Sequence, residues 1–444
     1  MTKIDHYKMP YFRRSEARSM WRPTRLGDQL TTRRARCLVL SVGLLVFAIK
    51  VGIASSTYGT EDIRTWGGFA DGVAAHGPVG VYGVNFGFLN HTLYNHPPLI
   101  GYYLEVINKL ASWGVPLKVS MRTISSAADV ISGMLVLEML RRRTTLLRAA
   151  CSGLAVSASP LLLLVSGYHG NTDPVFLMLV LLGTYLILDR DMAAMGATCI
   201  ALAVGIKLVP IVVIPALAMY VVHHRRDLLP RAAVGFGATV VLTWAPAVLQ
   251  QWGSLRHNVL GYSEISERPW GVVRLTDDLG WSGVSDFLIG PGKTLVVLAC
   301  ALLPAILAWR RQQLAMEAVA LSLVAFLTLT PAFGVQYLAW AVAASYLLEP
   351  WSATVYNLLG GLVLFQIYDR WNGGLPWSDI ALGQVFTLSE IALATLLWAS
   401  LVNVLAEGVM AVMSPQPSRQ EALTAPSGGD LRPAEPEAVA TGSG

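Results

Sequence analysis

Charge is scarce in this sequence. Only 14% of its 444 residues are Asp, Glu, Lys or Arg, against roughly 25% in a soluble domain. With 54% hydrophobic residues and a mean hydropathy of +0.52, this excludes an ordinary soluble globule and implies an integral membrane protein. Cysteine is scarce as well: Cys37, Cys151, Cys199 and Cys300 all lie in or beside apolar segments, and no pair has metal-ligand spacing. Neither a disulfide framework nor a zinc site is expected. Glycine-rich nucleotide motifs of the Rossmann or P-loop kind are absent, as is a clear internal repeat, so no cofactor and no metal are expected. The net charge of +5 comes from Lys and Arg beside the ends of apolar runs, with no interleaved stacking aromatics. That pattern sets membrane topology and argues against nucleic acid as a partner.

What is present is a succession of apolar runs. The opening stretch, Met1 to Asp28, is too long for a secretory signal and has no small-residue cleavage site before the first run, so 1–35 is expected to be a cytosolic basic arm. A first span covers 37–54, and further spans fall near 119–140, 149–167, 174–189, 192–206, 208–222, 229–249, 292–309, 314–332, 336–349, 353–369 and 382–411. The expected fold is all-α, a polytopic membrane protein of about twelve transmembrane helices. Arg141–Arg143 with Arg148, His223–Arg226 with Arg231, and Arg310–Arg311 share the side of the basic N-terminus, which the positive-inside rule places in the cytosol. Residues 36–411 form the membrane core, and 412–444, rich in Pro, Gly, Ser, Ala and Glu, are expected to be a disordered cytosolic tail. The long loops, 55–118, 250–291 and 369–381, then share the non-cytosolic face, where function concentrates.

The candidate residues lie on that face. Ile63, Trp66, Ala70 and Val73 recur at helical spacing, predicting an amphipathic interfacial helix over 62–75, and a second is predicted over 99–113. Glu61 and Asp62 open the first helix; a purely structural reading has Thr60 capping it and both acids favouring its positive end. SGYHGNTDP, from Ser166 to Pro174, needs only a turn with Asp173 as helix cap, which leaves Tyr168 and His169 unexplained. Lys207, in GIKLVPIVVIP, lies between two short apolar segments, where it either snorkels or meets a phosphate. In the second long loop, RHNVLGYSEISERPWGVVR holds Arg268 and Arg274 with Tyr262 and Trp270. Arginine forks suit phosphate, and the aromatics suit sugar faces or a membrane belt. Asp129 and Glu138, within a span, are either helix-pair contacts or part of a transport path.

Across residues 36–410 the chain resembles the C-class (GT-C) glycosyltransferases that use polyprenyl-phosphate sugars, especially the mannosyltransferases of lipid-linked glycan assembly. The resemblance rests on the order of five stretches: TEDIRTW, NHPPLIGY, HGNTDP, KLVPIVVIP and PAFGVQYLAW. His96 stands where that family often has Tyr. The resemblance implies a polyprenyl-phosphate-linked donor, such as polyprenyl-phosphate mannose, a lipid or glycan acceptor, and inverting transfer on the non-cytosolic face of a cell membrane. It gives the catalytic carboxylate as Asp62, with Glu61 in reserve. Donor phosphate would be held by Lys207, Arg268, Arg274 and His169; sugar and acceptor would meet Tyr168, Asn171, Asp173, His96, Tyr262, Trp270 and Gln336. A transporter or flippase of a lipid-linked glycan is the alternative; it would be expected to show repeats and mid-membrane ionisable groups. A non-catalytic assembly partner is the third reading, and it needs no Asp62.

Overall fold

The computed structural model describes residues 30–87, 93–262 and 269–414. Among the described residues, seven helical segments are long and apolar enough to cross a membrane: Thr32–Ser56, Leu117–Leu140, Leu146–His169, Arg226–Leu260, Gly292–Arg310, Gln312–Leu329 and Leu388–Met413. The other expected spans coincide with helices that are shorter, such as Ala193–Ile206, Val209–His224 and Val335–Leu348, or that end in polar residues, such as Pro350–Asn372. Of these shorter helices Val335–Leu348 is almost wholly buried, as expected where a broken helix needs protein rather than lipid around its freed backbone groups, whereas the other two keep outward apolar residues such as Met195 and Ile211. The fold is an all-α polytopic membrane protein.

Helix α1 (Thr32–Ser56) starts where the Thr31 side chain accepts from the Arg34 amide. It therefore begins inside the stretch expected to be an N-terminal arm. At about 1.5 Å per residue it is longer than the hydrocarbon core it has to cross. Its exit leads through a two-residue strand, β1 (Gly59–Thr60), into α2 (Glu61–Gly80). A second two-residue strand, β2 (Ile380–Ala381), lies parallel to the first, Gly59 opposite Ile380 and Thr60 opposite Ala381. The segment after α1 and the segment before the last helix are thereby fastened together.

Ile63, Trp66, Ala70 and Val73 of α2 are buried as the spacing requires, but against protein. Helix α3 (Leu99–Ser112) packs on α2, and Asn108 of α3 donates to the Ala70 carbonyl at 2.8 Å. The apolar stripe is thus an internal contact. Val106 of α3 and Trp113 just beyond its end do face outward.

From there the chain passes back and forth through α4 (Leu117–Leu140), α5 (Leu146–Ser157), α6 (Pro160–Leu164), α7 (Asp173–Asp189), α8 (Ala193–Ile206) and α9 (Ile214–His224). Helix α10 (Leu229–Leu255) leads to the second long loop, with α11 (Gly271–Asp278) and α12 (Ser282–Ile289). Then α13 (Gly292–Arg310), α14 (Ala315–Leu329), α15 (Ala339–Leu348), α16 (Pro350–Asn372) and α17 (Leu388–Met413) complete the described chain. Helix α6 ends in a π turn, Val165–His169, closed by Gly170 at φ +83°. A side chain at Gly170 would collide with Ile63 of α2, so a glycine lets the π turn and the first loop meet.

Candidate active site

The π turn of α6 and the first turn of α2 meet at one end of the bundle. Thr60 was expected to cap α2, but its hydroxyl donates instead to the His169 carbonyl at 3.2 Å. The capping explanation of the acid pair thus loses its hydrogen bond. The two acids have different surroundings. Glu61, whose side chain is as open as that of Asp62, pairs with Arg64 on its own helix at 2.8 Å. Asp62 places Oδ2 2.8 Å from Nε2 of His169, a residue 107 positions away. His169 Nδ1 lies 2.8 Å from the Tyr368 hydroxyl of α16. The network is satisfied when the Tyr368 O–H donates to Nδ1 and the Nε2–H donates to Asp62. His169 and Tyr368 are buried, whereas the Asp62 side chain is 42% exposed. One carboxylate oxygen is therefore fixed, and the group still reaches open space.

The electrostatics favour ionised Asp62. Burial opposes its charge, but the facing His169, with its hydrogen bond, and the nearby Lys207 and His96 outweigh it and hold the carboxyl below its ordinary range. His96 itself is pushed down to about 3, by burial first and then by Lys207, with Asp62 opposing. At neutral pH it is an uncharged ring stacked on Trp66, centroids 4.4 Å apart. Lys207 is thus the standing cation acting on both groups.

Lys207 ends α8 in extended backbone, φ −151°. Its ammonium donates to Asp173 Oδ1 at 2.6 Å and lies over the rings of Tyr337 and Trp340, at 4.5 and 5.0 Å from their centroids. Trp340 Nε1 donates to the other oxygen of Asp173 at 2.9 Å. Asp173 makes no cap hydrogen bond for α7; it is the buried counter-ion of Lys207. An ammonium has three N–H donors, and Asp173 takes one.

Several expectations change at this point. His169 has both ring nitrogens engaged, which argues against direct binding of donor phosphate. Asp173, with both oxygens taken and 1% exposed, is not placed to touch a sugar. Tyr168 is fully buried and its hydroxyl accepts from Asn372 at 3.1 Å. Asn171 accepts from the Asp173 amide at 3.1 Å, while its buried Nδ2 has no partner. Arg274 pairs with Asp278 one turn along the exposed helix α11, at 2.9 Å. Trp270 is buried edge-on against Phe333, which fits neither a sugar platform nor a membrane belt. Tyr262 is outward-facing, Gln336 half-buried, and Arg268 lies outside the described residues. The geometry therefore gathers Asp62, His169, His96, Lys207 and Asp173, and leaves Arg274, Tyr262 and Trp270 elsewhere.

Sequence reasoning missed Tyr368, Arg122 and Lys50, and gave Trp340 no role of its own. Arg122 of α4 is fully buried and donates to the carbonyls of Thr57 and Tyr58, fastening the link between α1 and α2. Gly59, at φ +105°, is required there because a side chain would overlap that guanidinium. Lys50 and Arg122 carried a signal, being charges inside apolar runs, and Trp340 closes the stretch PAFGVQYLAW; nothing in the local pattern marks Tyr368.

Residues 114–331, just under half of the chain, match the family described as Glycosyltransferase family 87. No curated protein matches the chain.

Proposed function

We propose that the chain is a membrane glycosyltransferase of the GT-C type, a reading supported by its match to Glycosyltransferase family 87, and that it moves a sugar, mannose in the first instance, from a polyprenyl-phosphate donor to a lipid or glycan acceptor on the non-cytosolic face. Asp62 is the general base. It takes the proton from the acceptor hydroxyl as that oxygen attacks the anomeric carbon, and the sugar–phosphate bond breaks on the opposite side with inversion. A positioned base of this kind contributes typically 10²–10⁴ in rate. The observation that carries the reading is the 2.8 Å bond from buried His169 to half-exposed Asp62, which aims the carboxylate and supports its charge.

Lys207 serves the leaving phosphate with the N–H groups that Asp173 does not use, and a charge-assisted donor there opposes the developing negative charge. Arg268 remains a candidate second cation. His96 and Trp66, stacked beside Asp62, form an uncharged wall suited to a sugar face. The donor lipid accounts for the site's height: its phosphate stays at the bilayer surface, where the transmembrane helices end and Asp62 and Lys207 are found. The deciding experiment offers the purified protein radiolabelled polyprenyl-phosphate mannose, glucose and arabinose with extracted membrane lipids. Label from one polyprenyl donor should appear in a lipid or glycan and vanish in Asp62→Asn. Transfer from a nucleotide sugar alone would overturn the donor assignment.

A further inference from the structure

Beneath the site, inside the membrane-spanning part of the bundle, lies an ion pair that the proposed chemistry does not use. Lys50 of α1 places Nζ 2.5 Å from Asp129 Oδ2 of α4, and the Ser166 hydroxyl donates to the same oxygen at 2.5 Å. All three are buried, at 1%, 3% and 0% exposure. Ser166 belongs to the π turn that ends in His169, and its neighbour Gly167 packs on the Lys50 stem, where a side chain would come within 3.2 Å. A buried pair is weak support for stability, because apolar residues of the same volume often hold a fold as well, and charges in a membrane core are costly. A π turn inserts a residue into the helical ladder and so turns the side chains beyond it to a new direction. Here it re-aims His169 toward Asp62.

We propose that Lys50, Asp129 and Ser166 are positioning residues that anchor the π turn and thereby hold His169 against Asp62. The inference rests on the assignment of Asp62 as base. The anchor works in two steps: Lys50 fixes the Asp129 carboxylate between α1 and α4, and Asp129 fixes the turn through the Ser166 hydroxyl. Asp129 is thus a helix-pair contact with a catalytic consequence, and no part of a transport path is needed to explain it.

The test uses the full-length protein in nanodiscs. Ser166→Ala cuts the turn from the pair and leaves both charges compensated; Lys50→Met with Asp129→Leu replaces the pair by apolar side chains and guards against misfolding from an unpaired charge. Turnover should fall about tenfold with little change in KM, since misplacement near 1 Å is enough for such losses. The acid limb of the pH–rate profile should move up, because Asp62, faced by His169, Tyr368, Lys207 and His96, loses its closest partner while its burial persists. Combining Ser166→Ala with His169→Gln should add nothing to His169→Gln alone. An activity-independent readout is carbethoxylation of His169 by diethyl pyrocarbonate, followed by peptide mass spectrometry, with exposed His76 as reference; its rate should rise several-fold in both variants. If His169 is released but the acid limb stays fixed, the anchor stands and Asp62 as base falls. If His169 stays protected, or the double variant loses activity additively, the anchor is overturned.

Discussion

The two ends of the helix bundle use charge differently. At the basic end, Arg36 and Arg141 share Glu138, Arg143 meets Asp189, and Arg225 meets Asp191 and Asp227. Most of those arginines are partly open to solvent, and several pairs are close in sequence. At the opposite end each chain of contacts has a buried residue at its centre and joins residues far apart in sequence: Asp62 to His169 to Tyr368, and Lys207 to Asp173 to Trp340. Open pairs of the first kind are worth little each, and they serve topology through the positive-inside rule. Pairs of the second kind hold particular atoms in particular places, as a reacting centre requires.

Substitutions at the second end should therefore cost activity, and those at the first should not. The largest expected effect is that of Asp62→Asn, a fall of at least about 10² in turnover with donor still bound, because an amide has no useful proton affinity; a turnover assay beside a donor-binding assay checks it. Next comes Lys207→Met combined with Asp173→Asn, which removes both charges so that neither is left buried alone. The expected loss is about 10- to 100-fold in kcat/KM for donor, the worth of a charge-assisted hydrogen bond.

His169→Gln should cost about tenfold in turnover and should also show its effect in the pH profile. Asp62 in the wild type is depressed, so its charged form and its contribution to stability are present above its unfolded value and are lost as pH falls through the lower folded value. Without His169 the burial that opposes charge persists, so the acid limb should move upward; an unmoved limb would break the pairing of the two residues. His96 makes a separate pH window. The folded ring takes up a proton only near 3, whereas the unfolded one does so near 6.5, so acid stabilises the unfolded chain between those values. Thermal unfolding followed from pH 7 to pH 4 should show a fall in midpoint that His96→Phe reduces.

The smallest effects sharpen the contrast. Glu61→Gln breaks only an exposed pair on one helix and should change turnover less than about twofold, with stability altered by at most about 1 kcal/mol. Arg225→Gln at the basic end should leave turnover unchanged as well. If Glu61→Gln were as damaging as Asp62→Asn, the distinction drawn between the two acids would collapse.

The sequence by itself determined the class of molecule and its all-α character, because hydropathy acts through local composition that no folding step alters. It singled out Asp62, His169, Asp173 and Lys207 as residues needing explanation, because polar groups near a bilayer are costly wherever the chain takes them. It could not say which of them would meet. The His169–Tyr368 contact joins residues 199 positions apart, and the Asp173–Trp340 contact joins residues 167 apart; no periodicity encodes such distances. The roles of Thr60 and Asp173 as caps were reasonable locally and were displaced by stronger distant partners, a carbonyl in one case and a buried ammonium in the other. Only the tertiary structure decided that Asp62 rather than Glu61 meets His169, because helix α2 fixes the two side chains about 100° apart and the packing of α2 on the π turn sets which one faces it.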